Sequence, residues 1–212
     1  MIHLPQVTLI LLSGIGYRTE KNINALEYSQ RGIEFGAVKY IQLGEITDID
    51  AWSRASIYEL PKYVHTEFCL LIHENGFVVN PESWKDEWLE YDYVGSPWPM
   101  PTDDVAYRDK DGKVRRVGNS VSLRSKKLLD LANEIKLPWK KFNGFYNEDG
   151  FICVNNTHIY EENGCKFAPI EVAKHFGREI DIPEVADVDK PFIFHYNKTL
   201  AGRNKEFEPL FL

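Results

Sequence analysis

Two short acidic clusters carry the side chains best suited to chemistry. His73-Glu74-Asn75-Gly76 sets three metal-capable side chains ahead of a glycine that lets backbone approach a ligand, which suits a hard divalent cation beside phosphate oxygens. The same four residues also suit a polar turn between two strands. Asn147-Glu148-Asp149-Gly150 sets adjacent carboxylates between an aromatic loop and an apolar stretch. Acids at a helix start can cap backbone N–H groups. A partly desolvated one, its pKa pushed toward neutrality, can instead take the proton of an acceptor hydroxyl. His195 ends the apolar run Pro191-Phe-Ile-Phe-His195 and offers neutral imidazole as a metal ligand if the fold carries it to Glu74. Gly118-Asn119-Ser120 suits close approach to a sugar, or a plain strand flank. Trp98, Trp139, Phe142 and Tyr146 present rings that either stack on the apolar face of a sugar or pack in the core. Arg124 has a planar fork for phosphate or for a nearby carboxylate.

Residues this far apart act together only on a frame that gathers chain segments at one edge. Val7-Thr-Leu-Ile-Leu-Leu12, bounded by Ser13-Gly14-Ile15-Gly16, predicts a strand buried on both faces that ends in a permissive loop. A helix over Thr19 to Arg31, a strand over Phe35 to Leu43, a helix over Asp50 to Val64 broken at Pro61, and a strand over Glu67 to Ile72 follow. That alternation predicts βαβ units and a mostly parallel sheet. Further on, the pattern predicts a short helix over Pro81 to Glu90, a strand over Tyr91 to Gly95 and a polar hairpin or loop over Asp103 to Arg116. A strand over Ser120 to Leu123 and helices over Ser125 to Ile135 and Asp149 to Glu162 come next, with a last strand over Phe192 to Tyr196. In open α/β sheets ligands sit outside the carboxyl ends of strands, which points to the loops after Leu12, Ile72 and Gly95.

The 212 residues are 43% hydrophobic and 27% charged, with a formal net charge of −7, as in an ordinary globular domain with one core. This acidic balance argues against nucleic acid or anionic membrane as a partner, because phosphate affinity needs clustered Lys and Arg. The three cysteines, Cys69, Cys153 and Cys165, form no CxxC pair, so reduced thiols in a cytoplasmic protein are expected. The apolar run near the start is too short to span a membrane, and no signal-peptide cleavage pattern follows it. In that compartment the sequons at Asn155 and Asn197 carry no meaning. GxGxxG, P-loop, GxSxG and HExxH patterns are absent from the sequence, which removes the common dinucleotide, NTPase, hydrolase and zinc-protease readings.

Five segments occur in order along most of the chain: WSRASIYELPKYVHTEFCLLIHENGFVVNPESW at 52–84, YDYVGSPW at 91–98, VGNSVSLRS at 117–125, NEDGFIC at 147–153 and PFIFH at 191–195. In these the chain resembles a bacterial and viral family of glycosyltransferase-like proteins, catalogued as a domain of unknown function and similar to GT-A-fold nucleotide-sugar transferases. The resemblance implies one α/β GT-A-like domain over 1–212, a mixed, mostly parallel central sheet flanked by helices. Residues 1–100 would bind the nucleotide sugar, and 101–212 would carry the acceptor and catalytic half. It implies Mn²⁺ or Mg²⁺ at Glu74, Asn75 and His195, with Asn75 where the family pattern has Asp. Donor contacts would come from Ser13, Gly14, Glu74, Asn75, Gly76 and Arg124, and acceptor or sugar contacts from Trp98, Gly118, Asn119 and Ser120. The family's GNGGFSLRS stretch is one residue shorter here, as GNSVSLRS. Asp149, with Glu148 in reserve, would be the base of an inverting transfer from a nucleotide-diphosphate sugar to a saccharide or glycoconjugate. Two other readings stand beside it: a degenerate GT-A domain that binds nucleotide or glycan without catalysis, and a sugar nucleotidyltransferase.

Overall fold

The computed structural model of the chain describes residues 1–140 and 147–196. Phe142, Tyr146, Asn197 and the apolar Pro209-Leu-Phe-Leu212 lie outside them. In chain order the strands are β1 (Ile2–Gly14), β2 (Ile33–Leu43), β3 (Phe68–Ile72), β4 (Gly76–Val78), β5 (Tyr93–Pro97), β6 (Val117–Ser125), β7 (Gly177–Arg178) and β8 (Ile193–His195). The helices are α1 (Thr19–Ser29), α2 (Ile49–Tyr58), α3 (Lys126–Glu134), the single turn α4 (Glu148–Gly150), α5 (Thr157–Glu162) and α6 (Ile170–Phe176).

Five strands form the main sheet in the order β2-β1-β3-β6-β5. β1 runs parallel to β2 and β3, whereas β6 is antiparallel to both β3 and β5. Within this sheet parallel pairing is thus confined to the N-terminal half, where helical crossovers separate the strands. β1 extends beyond its apolar run because Ile2 to Leu4 pair with Ile33 to Phe35 before the register shifts between Leu4 and Thr8. Pro5 lies in that interval and lacks the N–H a ladder position needs. Alternate residues of β1 then serve two cores. Leu9 and Leu11 join Leu70, Ile72, Val121, Leu123 and the α1 residues Ala25 and Leu26. Ile10 and Leu12 join Cys69 and Leu71 beneath Ala55, Leu60 and Leu129. A second sheet, β4-β8-β7, closes against the first core through Phe77, Phe192 and Phe194. Cys69, Cys153 and Cys165 are buried and unbridged, and no described helix is long and apolar enough to cross a membrane.

Several local expectations change. The helix expected over Asp149 to Glu162 is three pieces: α4, a wide π turn over Phe151–Asn155, and α5. Phe151, Ile152, Cys153 and Val154 are all buried, and no single helix face can present four consecutive residues to a core. The π turn, closed by Asn156 N–H donating to Phe151 O at 3.1 Å, accommodates them. Pro81 to Glu90 is two 3₁₀ turns, Pro81–Ser83 and Asp86–Glu90. The expected strand over Tyr91 to Gly95 begins at Tyr93 and runs on to Pro97. Residues 103–116 form a loop with one bridge, Arg108 to Val114, gathered on Asp109, which accepts from Asp111 N, Lys113 N and Arg115 Nε.

The start of α2 is fixed by Asp48, whose carboxylate accepts the Ala51 N–H at 2.8 Å. Asp48→Ala is expected to cost about 1 kcal/mol, read as a lower urea midpoint at unchanged m-value.

Candidate active site

The carboxyl ends of β1 and β3 and the loop after β2 open onto a cavity of about 430 Å³. β1 contributes Leu12, Ser13 and Gly14, and Tyr17 follows. The loop after β2 contributes Ile46, Thr47 and Asp48, and Ile49 and Trp52 come from α2. The Trp52 indole N–H donates to Leu12 O at 2.8 Å, which locks the ring beside the strand end. His73, Glu74 and Asn75 arrive from the turn after β3, Ser120 from β6, Asn147 to Asp149 from α4, Glu179 from just beyond β7, and His195 from the end of β8. The antiparallel pairing of Gly76 with His195 in the second sheet brings the two distant histidines together, with ring centroids 4.8 Å apart.

Five acids and two histidines therefore face one space, and the acids differ in how their charge is met. Glu148 and Arg124 form an ion pair at 3.1 Å, with side-chain exposures of 1% and 0%. Burial pushes Glu148 up and Arg124 opposes that rise. Arg124 is held by Ser122 Oγ at 2.8 Å and lies 5.6 Å from the Tyr93 ring centroid. Among the described residues no Lys or Arg forms an ion pair with Asp149. Burial, with Glu148 and Glu179 nearby, pushes its carboxyl up to about 7. Glu179 Oε1 lies 3.3 Å from His195 Nδ1, and its other oxygen accepts from Asn119 Nδ2 at 2.8 Å. Burial pulls His195 down, but Glu179, with Asp149 and Glu148 nearby, raises it overall. His73 is held well below its usual value by burial and by His195. Its Nδ1 accepts from Asn75 N–H at 3.1 Å, leaving the proton on Nε2, 3.0 Å from Ser120 Oγ.

Of the residues the sequence singles out, Ser13, Gly14, Glu74, Asn75, Ser120, Glu148, Asp149 and His195 come to this one cavity. Gly76, Arg124, Trp98, Gly118 and Asn119 do not line it. Arg124 is spent on Glu148, not on an external phosphate. Trp98 is buried and stacks on Tyr107, ring centroids 4.9 Å apart. Gly118 is glycine because a Cβ there would overlap the Trp98 ring. Trp139 likewise stacks on Phe151. Asn119 is buried at φ 111°, a rare conformation for a side-chain-bearing residue, and works through Glu179. Ser13 directs its hydroxyl to Tyr40 at 3.2 Å and to Gly14 O at 3.2 Å. Tyr17, the stretch from Ile46 to Ile49, Trp52 and Glu179 were not legible, because single residues outside a motif carry no spacing signal.

A divalent cation on the donor phosphates, which the GT-A fold implies, would draw on Glu74, Asn75 and His195. As placed, these side chains do not fit one. Glu74 is paired with Arg18 at 3.0 Å. Asn75 offers a neutral amide whose Nδ2 faces Glu74, and His195 Nδ1 faces Glu179. Hard cations need convergent anionic oxygens, and among the described residues no group of three or more His, Cys, Asp or Glu is placed to hold a metal ion.

The mixed sheet, its strand order and the cavity at the ends of β1 and β3 define a GT-A-type glycosyltransferase fold. The chain is similar to a glycosyltransferase involved in the glycosylation of the major capsid of PBCV-1, with a TM-score of 0.55 and 13% identity over 89% of this chain and 92% of that one. It is also similar to the galactosyltransferase LgtC in complex with donor and acceptor sugar analogs, with a TM-score of 0.50 and 13% identity over 96% and 94% of the two chains. No curated protein matches the sequence. Residues 50–195 match the family described as "Protein of unknown function (DUF5672)", and the chain belongs to that family.

Proposed function

We propose that the chain transfers a sugar from a nucleotide-diphosphate sugar to a hydroxyl of a saccharide or glycoconjugate, with Asp149 as general base. One observation carries this reading: Asp149 opens onto the cavity at the ends of β1 and β3, among buried groups that hold its proton up to about 7. Glu148 is engaged by Arg124, which supports giving the base to its neighbour. Asp149 takes the acceptor proton while the acceptor oxygen bonds to the anomeric carbon. The bond from that carbon to the diphosphate oxygen breaks, and its electron pair leaves with the nucleoside diphosphate. A single displacement of this kind inverts the anomeric centre, which proton NMR of the product reads directly. The buried, unbridged cysteines support a cytoplasmic setting.

A thermal-shift screen of UDP, GDP, CDP and ADP and their sugars tests the reading. A ligand at about 100 times its Kd adds roughly 2.7 kcal/mol, which raises the Tm by about 5–10 °C at this size. The absence of a shift with every nucleotide, with and without Mn²⁺, would sink the proposal. A second reading, a domain that holds nucleotide or glycan without transfer, draws on Asn75 and the shortened GNSVSLRS loop. It is favoured if a nucleotide binds and its sugar is neither transferred nor hydrolysed.

A further inference from the structure

We infer that Arg18, in place of a divalent cation, meets the phosphate charge of the donor; this rests on the nucleotide-sugar reading above. Among the described residues, those lining the cavity include Asp48, Glu74, Glu148, Asp149 and Glu179 and no Lys or Arg, so a diphosphate entering it meets acidic side chains there. Among the described residues, guanidinium groups bond to that wall at Arg124 on Glu148 and at Arg18 on Glu74. Arg124 is enclosed and cannot reach a ligand. Arg18 is placed differently. Its Nη1 donates to Glu74 Oε1 at 3.0 Å, and its guanidinium lies 5.2 Å from the centroid of the Tyr17 ring, so it is fixed against two residues that line the cavity.

The exposures of the pair show which partner faces outward. The Glu74 side chain is 9% exposed and the Arg18 side chain 44%. Glu74 thus acts as a positioning residue on one edge of the fork, leaving other N–H donors of the planar group for phosphate oxygens. Arg18 also sits in the left-handed region, at φ 46° and ψ 38°, immediately before α1, whose start has no side-chain cap. The positive end of that helix adds to the field at the same place. The side chain expected to anchor a metal is therefore already neutralised, and its neutraliser is the group an anionic ligand would seek.

The experiment is isothermal titration calorimetry of the full chain with UDP, GDP, CDP and ADP, in EDTA and in Mn²⁺, for the parent, Arg18→Ala and Arg18→Lys. The parent is expected to bind one of them in EDTA with a Kd within about threefold of that in Mn²⁺. Arg18→Ala is expected to weaken binding about 10–100-fold, the range of a charge-assisted hydrogen bond, and Arg18→Lys to fall between. Because the Arg18 side chain is largely at the surface, both variants should fold, which their far-UV circular dichroism and Tm report alongside. Binding by the parent that disappears in EDTA overturns the inference, as does an Arg18→Ala protein that binds as the parent does. A parent that binds none of the four under either condition overturns the nucleotide-sugar reading itself, and this inference with it.

Discussion

Asp149→Asn is expected to lower turnover in sugar transfer by a factor of about 10²–10⁴, the range of a lost general base, while leaving the Kd for nucleoside diphosphate nearly unchanged. Asn keeps the shape of the side chain and the oxygen that accepts from Gly150 N–H at 2.7 Å, so the start of α4 is preserved and only the proton acceptor is lost. In the parent, activity needs the ionised carboxylate. kcat/KM should therefore rise with pH through a limb centred near 7, where Asp149 titrates. The limb should vanish in the Asn variant. A variant that keeps both the rate and the limb assigns the base to another group, and the transfer mechanism proposed here would be wrong.

The same raised carboxyl makes a stability prediction of opposite sign. Asp149 is pushed from 3.8 to about 7 in the folded chain, so it favours folding while protonated. Its contribution is fully present below its unfolded value and is lost as pH rises through the folded one. Above pH 7 the protein carries an ionised Asp149 beside Glu148 and Glu179, a liability that Asn removes. Asp149→Asn should match the parent's Tm near pH 4 and exceed it at pH 8, by about 1–3 kcal/mol or roughly 2–10 °C. More stability with less activity is the trade expected of a group held against its own ionisation preference. A mere packing residue would not show it.

The contrast between Asp149 and Arg124 shows where sequence reasoning succeeds here and where it stops. Val7 to Leu12 and Glu67 to Ile72 are legible because strands buried on both faces need unbroken apolar runs, and those runs place the loops that follow them at the ligand edge. His73-Glu74-Asn75 and Asn147-Glu148-Asp149 are legible as clusters because adjacent polar groups after apolar segments stand out. Arg124 has the right chemistry for phosphate, yet its use depends on which face of β6 it occupies and on an acid 24 residues away. Trp98 and Gly118 looked like a sugar platform and are a packing pair, since a ring and the glycine that admits it read the same in sequence as a ring and a flexible loop. Glu179 and Arg18 carry no pattern at all. The first follows a two-residue strand and the second precedes a helix without a polar cap, so only the folded contacts with His195 and Glu74 reveal them.

Arg124→Met is expected to destabilise the fold by about 3–5 kcal/mol, because it leaves the Glu148 carboxylate at 1% exposure without its cation. That corresponds to a fall in Tm of roughly 6–20 °C for a domain of this size. The double variant Arg124→Met with Glu148→Gln should recover most of the loss, since a buried ion pair contributes little net stability once both of its charges are removed together. The native pair is itself imperfect: Arg124 Nη1 has no hydrogen-bond partner among the described residues, so less is forfeited than a fully bonded pair would forfeit. The pH profile gives an independent readout. Arg124 lowers Asp149 and Glu148 raises it, so Arg124→Met should move the activity limb above 7 and Glu148→Gln alone should move it below. If the double variant is as unstable as Arg124→Met alone, Arg124 acts through packing against Tyr93 and the strands of β5 and β6. The coupling between the buried pair and the base would then be lost as an explanation. If stability recovers and the limb shifts as stated, the ion pair beneath the cavity sets the proton affinity of the residue above it, and the fold holds two opposite charges out of water in order to tune a third.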